Sequence, residues 1–262
     1  MPAAASIAFF TVVSGAGCGM LFILALLAAS GLVAPDRSLA AGGFGISLAM
    51  IAAGQFASAV RPGRLERALS LLTIAQGGAL AALLYLGVAE PATRAILGIA
   101  SATAAVAAVF AMAMAHRSAL PMSVRLGRFL APGYLVIAAS TGLLLAQAVL
   151  AAIDAGGDAL RLIGFGAIVA LAATMRVKLA YWSVLDTATS SNAPQGADVD
   201  RVASRPAIAA RRIVLAGMFL PAALTLLGLM SPSLMAVAAV LAALLGLAGA
   251  ALERRLLFAE FA

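Results

Sequence analysis

The sequence predicts an all-α integral membrane protein: one transmembrane domain over residues 1–262, built as a bundle of eight transmembrane helices. Three observations predict it. Hydrophobic residues make up 64% of the chain and charged residues only 10%, where a soluble domain carries roughly 25% charged. Apolar stretches recur at the length of about 20 residues that a spanning helix needs. The basic residues fall mostly on alternate connections between those stretches.

The spans are read at about 7–33, 38–60, 68–89, 93–115, 129–153, 159–183, 211–231 and 233–257. Their apolar runs are continuous, whereas a barrel strand alternates apolar and polar over about ten residues. The first span has no charged residue before it and exceeds the h-region of a secretory signal, so it is expected to stay as helix one. Between spans six and seven, residues 184–210 have loop composition, with Ser190, Ser191, Asn192, Pro194, Gly196, Asp198 and Asp200.

Charge sets the orientation. Arg61, Arg64 and Arg67 follow span two, Arg117, Arg125 and Arg128 follow span four, and Arg176, Lys178, Arg201, Arg205, Arg211 and Arg212 surround the 184–210 segment. With Arg254 and Arg255 of the tail, 14 of the 17 Lys and Arg residues lie on one side, leaving Arg37, Arg94 and Arg161 on the other. The basic side is expected to be cytoplasmic, with both termini there, in a bacterial inner membrane. The net charge of +7 is thus a topology signal. Without a dense basic run or aromatic platform, it does not point to nucleic acid.

Self-contained chemistry is not apparent. The single cysteine, Cys18, cannot supply an iron–sulfur cluster, which needs several thiolates. The single histidine, His116, sits at a helix end, so no bis-histidine haem is expected. No phosphate-cradling glycine loop, metal-binding His/Glu pair or Ser–His–Asp set stands out. Within the spans, Gly15, Gly17, Gly19, Gly42, Gly43, Gly45, Gly77, Gly78, Gly246 and Gly249 offer close helix approach or room for a flat ligand. Gln55, Gln76, Gln147 and Thr174 are read as the polar residues at depth, with no acid mid-span, which argues against an ion-driven transporter.

The densest charge is Arg61-Pro62-Gly63-Arg64-Leu65-Glu66-Arg67-Ala68, read as a short cationic hairpin at headgroup depth. Here the chain resembles the membrane-anchor subunit family of dimethyl sulfoxide reductase-type molybdopterin oxidoreductases, as a divergent member. Gly63, Arg64, Arg67 and Ala68 match that family's His-Leu-Gly-Arg-Pro-x-Arg-Ala pattern. The opening Phe9-Phe10-Thr11-Val12-Val13-Ser14 with Gly15 and Gly17, the closing Glu253-Arg254-Arg255-Leu256-Leu257-Phe258-Ala259-Glu260, and Lys178-Leu179-Ala180-Tyr181-Trp182 are similar to other family segments. The family histidine falls on Arg61 and its proline on Leu65.

The resemblance implies a non-catalytic anchor that passes electrons between the quinone pool and an iron–sulfur subunit, itself joined to a molybdopterin catalytic subunit, in anaerobic-type respiration. It implies menaquinol or ubiquinol near Arg61, Gly63, Arg64, Gln55, Tyr181 and Trp182. It also implies partner docking through Arg64, Glu66, Arg67, Arg254 and Arg255, with Glu66 either a proton acceptor or an ion pair with Arg67. Two other classes stay open: a small multi-helix transporter and a purely structural membrane scaffold.

Overall fold

A computed structural model describes residues 2–33, 37–56, 64–119, 124–154, 157–191 and 205–259. Every long element among them is helical: α1 (Pro2–Ser30), α2 (Gly45–Phe56), α3 (Arg64–Leu86), α4 (Pro91–Ala119), α5 (Val124–Ala152), α6 (Gly157–Ser191), α7 (Arg205–Met230) and α8 (Met235–Ala259). In hydrocarbon a backbone must satisfy its own polar groups, and these Ala- and Leu-rich runs do so by helix formation. Seven stretches are long and apolar enough to cross a membrane; Leu39–Gln55 is apolar but shorter. The chain is therefore an all-α, multi-pass membrane protein.

The boundaries depart from the sequence reading in informative places. Span two is not a uniform helix over 38–60: it opens as a π-helical segment, Leu39–Phe44, before α2. Gly42 and Gly43 lie in that wide turn, and a Cβ on Gly43 would stand 2.8 Å from Leu24 Cδ1. The segment 184–210 is not all loop. Helix α6 runs 35 residues to Ser191, and α7 begins at Arg205. At 1.5 Å per residue α6 is about 52 Å long, well beyond the roughly 30 Å hydrocarbon core. Its polar composition marks where the helix leaves lipid, not where it ends. Helix α3 stops at Gly87 (φ +71°), whose N–H donates to Leu84 O while Val88 N–H donates to Leu83 O. That pairing is a Schellman cap, which needs a left-handed residue and so favours glycine.

The helices form two joined four-helix rings. In the first, α1 packs on α2 and α4, and α3 on α2 and α4; in the second, α5 packs on α6 and α8, and α7 on α6 and α8. The rings meet where α1 contacts α5 and α8, and where α4 contacts α5. Helix α1 is the core element: 72% of its apolar window is buried, against 28–50% for the other six long crossings. Its junction with α5 is set by Gly15 and Gly19 facing Ala138 and Gly142. The facing residues advance together in sequence, so α1 and α5 run parallel. A Cβ on Gly19 would enter the Ala138 carbonyl, and one on Gly142 would enter the Gly19 backbone. This is the close approach that small residues permit in lipid, where no hydrophobic drive brings helices together.

Candidate functional site

The arginine-bearing end of the bundle holds a buried polar cluster. Lys178 on α6 and Glu253 on α8 form an ion pair whose side chains are 7% and 1% exposed. Arg254 Nε lies 3.5 Å from Glu253 Oε2, and its guanidinium carbon sits 3.4 Å from the centroid of the Tyr134 ring on α5. Tyr134 stacks on His116 at the end of α4, with centroids 5.6 Å apart. His116 also meets Phe258 at 5.5 Å, and its Nδ1 donates to Met112 O at 2.8 Å. Lys178 Nζ is 5.0 Å from the Tyr181 ring, which in turn packs edge-on to Phe129. Glu66, near the start of α3, is buried as well.

Helical spacing assembles this group. Lys178 and Tyr181 are three residues apart and share one face of α6. Glu253 and Arg254 lie within two turns of the end of α8, and His116 within one turn of the end of α4. The positions therefore gather one to three turns inside one end of the bundle. Removing a single ion from water has an effective cost of several kcal/mol, and pairing offsets it only when the geometry is good. Here the Glu253 carboxylate is shared by two cations that also lie over aromatic faces. The Tyr134 hydroxyl has no hydrogen-bond partner among the described residues, although the residue is only 2% exposed. The cluster thus presents an unused buried hydroxyl beside a guanidinium and a carboxylate.

The sequence-derived sites divide across the fold. Tyr181 is buried beside Lys178. Trp182 is buried too, under the Arg211 guanidinium at 5.4 Å. Gln55 ends α2, and Arg64 opens α3, in the other ring. Arg61 and Gly63 lie outside the described residues. Gln55, half-buried, has an unpartnered Oε1. The described members of the proposed quinone set thus come from both rings, Gln55 and Arg64 from the first and Tyr181 and Trp182 from the second. Of the docking set, Arg64, Arg67 and Arg255 are exposed. Glu66 (8% exposed) and Arg254 (3%) are not rim charges, because burial against neighbouring helices removes them from a docking surface. Glu66 is likewise not the solvated partner of an exposed Arg67.

The sequence reading missed the roles of Lys178, Tyr134, His116 and Glu253. Glu253 lies near the end of the apolar stretch Pro232–Phe258 and not at its middle; what the sequence did not show is that it is buried there. The available signal was Lys178 within the long crossing Gly157–Thr187, since an ionisable residue there marks a candidate site. Of the polar residues singled out, Thr174 lies within reach of Val136 O on α5 (3.1 Å), which joins the two helices, and of Ala170 O one turn back on its own helix (2.8 Å). Gln147 is fully buried near Met235 Sδ, with Oε1 unpartnered.

No family model matches this chain, and neither the curated proteins nor the solved structures contain a match to it.

Proposed function

We propose that this chain is the membrane-anchor, quinone-interacting subunit of a molybdopterin oxidoreductase of the dimethyl sulfoxide reductase type. In this reading Leu39–Gln55 is the eighth crossing, both termini face the cytoplasm of a bacterial inner membrane, and the arginine-bearing end meets an iron–sulfur partner. One observation carries it: a buried cluster of Lys178, Glu253, Arg254 and Tyr134 inside an otherwise apolar bundle. Menaquinol or ubiquinol, when bound, supplies two electrons and two protons. Its headgroup needs hydrogen-bond donors, a base and aromatic surface. The Tyr134 hydroxyl and the Arg254 guanidinium are donors, Glu253 is a carboxylate able to hold a proton, and the His116 and Tyr181 rings offer flat faces. Arg254 orients rather than accepts protons, because a guanidinium does not deprotonate in proteins. The exposed Arg64 and Arg67 suit acidic side chains of a docked subunit.

Purification from native membranes tests the partnership. A molybdopterin protein and an iron–sulfur protein should co-purify, and Arg64→Glu with Arg67→Glu should release both to the soluble fraction. Purification without either protein contradicts the anchor role. For the site, Tyr134→Phe should weaken binding of a fluorescent quinol-site inhibitor by about tenfold, the loss of one hydrogen bond in a dry site. An unchanged titration rejects Tyr134 as a ligand.

A second reading, a small transporter, draws on the same Lys178–Glu253 pair, since buried ion pairs in crossings also mark ion and proton paths. Reconstituted vesicles that accumulate a solute in response to a proton gradient would favour it.

A further inference from the structure

The seam between α7 and α8 opens at the arginine-bearing end. The two helices are tight at Gly217 and Gly249, where a Cβ on Gly217 would stand 2.9 Å from the Gly249 Cα. One to two turns nearer the helix ends lies a groove of about 290 Å³, lined by Ala210, Ile213 and Val214 of α7 and by Leu252, Arg255 and Leu256 of α8. The i, i+3, i+4 spacing puts each trio on one helix face. Five of the six lining residues are apolar. The sixth, Arg255, is exposed, as is Arg212 beside Ile213. Among the described residues neither arginine makes an ion pair. Two carboxylates described in this region are already engaged, Glu253 with Lys178 and Asp186 with Arg211.

A free guanidinium at headgroup depth above an apolar slot calls for a molecule with an anionic head and a hydrocarbon tail. We propose that this groove is a binding site for an anionic phospholipid, with one acyl chain between α7 and α8 and the phosphate held by Arg255, with Arg212 alongside. A guanidinium offers phosphate oxygens two parallel N–H donors. Basic pockets between transmembrane helices are suited to anionic headgroups. A zwitterionic lipid offers the same tail, but its amine offsets the phosphate charge. A quinone offers only a neutral carbonyl head. The proposal needs the bundle to lie in lipid and is independent of the redox reading.

The test uses the full chain with its only tryptophan moved to the groove wall (Trp182→Phe, Leu252→Trp). This protein is reconstituted in phosphatidylcholine vesicles containing brominated phosphatidylglycerol or brominated phosphatidylcholine. Phosphatidylglycerol should quench the groove tryptophan at a mole fraction about fivefold lower if Arg255 acts alone and up to about thirtyfold lower with Arg212, as follows from about 1 kcal/mol per arginine near the surface. Adding Arg255→Gln and Arg212→Gln should abolish that preference, while Arg64→Gln and Arg67→Gln on the other ring should leave it intact. Equal quenching by the two lipids, or a preference that survives Arg255→Gln with Arg212→Gln, overturns the site. A preference lost equally in the Arg64 and Arg67 variant overturns it too, because that outcome reports only general surface charge. Native mass spectrometry of the unsubstituted chain gives a readout independent of the engineered tryptophan. Phosphatidylglycerol retained by that chain and lost with Arg255→Gln and Arg212→Gln supports the assignment, and phosphatidylglycerol retained equally by both, or by neither, refutes it.

Discussion

The two four-helix rings solve the same packing problem by different means. In the α1–α4 ring, helices approach until backbones nearly touch. A Cβ on Gly17 would stand 2.8 Å from Ser47 O, and one on Gly98 2.6 Å from Ala25 O. Polar side chains there, such as Ser47, Thr73 and Thr103, donate back to their own helix. The α5–α8 ring also brings backbones together at Gly217 and Gly249, and packs side chains onto Gly164, Gly228 and Gly246, but adds polar ties between helices: Thr174 to Val136, Lys178 to Glu253 and Arg211 to Asp186. Lipid tails provide no drive for apolar helices to associate, so close packing suffices for a scaffold. Buried charge is not needed for that purpose and is costly. Its concentration in the second ring, at the end where the first ring contributes His116 and Glu66, marks the part of the bundle where packing alone does not account for the residues present.

The largest expected effect breaks the junction of the rings. Gly19→Leu or Gly142→Leu forces a side chain into backbone and should cost more than about 3 kcal/mol, at the upper end for overpacking. Size-exclusion chromatography in detergent should show aggregate in place of a monodisperse peak. Gly78→Ala, which meets nothing within 4 Å, should elute as the wild type does.

Next comes the charge pair. Glu253→Gln leaves Lys178 buried without its carboxylate and should destabilise by about 3–5 kcal/mol. Lys178→Met combined with Glu253→Gln should recover most of that loss, because the pair adds little net stability over an apolar replacement. Thermal unfolding in detergent measures both. A double variant as unstable as Glu253→Gln alone would mean that the ions hold the ring together and are not there for chemistry.

Smaller effects sharpen the contrast. Thr174→Val should cost about 0.6 kcal/mol, the average for hydrogen bonds between transmembrane helices, and no more than about 1.7 kcal/mol. Arg211→Ala removes a bidentate contact at 2.9 Å to Asp186 that is partly open to solvent. It should shift stability by less than about 1 kcal/mol, and the shift should shrink with added salt.

Much of the architecture was legible in the sequence because lipid imposes a one-dimensional rule: apolar runs of sufficient length cross. The glycines of helix one likewise announced close packing, and Gly17 and Gly19 do meet neighbouring backbones. Composition failed where helix and lipid part company. Val184 to Ser191 are polar enough to read as loop, yet they continue α6, since a helix in water needs no apolar face on every side. The site was less legible still. Lys178 and Glu253 are far apart in sequence, and nothing local in either predicts the other. Each looked like part of a helix end, and only the packing of α6 beside α5 and α7, with α8 closing the ring, brings them into contact. Arg254 and Glu66 looked like rim charges for the same reason, because burial is a property of the neighbours and not of the residue.

The most direct test of the central claim is titration of a fluorescent quinol-site inhibitor into the purified variant carrying Lys178→Met and Glu253→Gln. That variant should unfold near the wild-type temperature but bind the inhibitor at least tenfold more weakly. Wild-type affinity in a variant without either charge would contradict the assignment of quinone handling to this cluster.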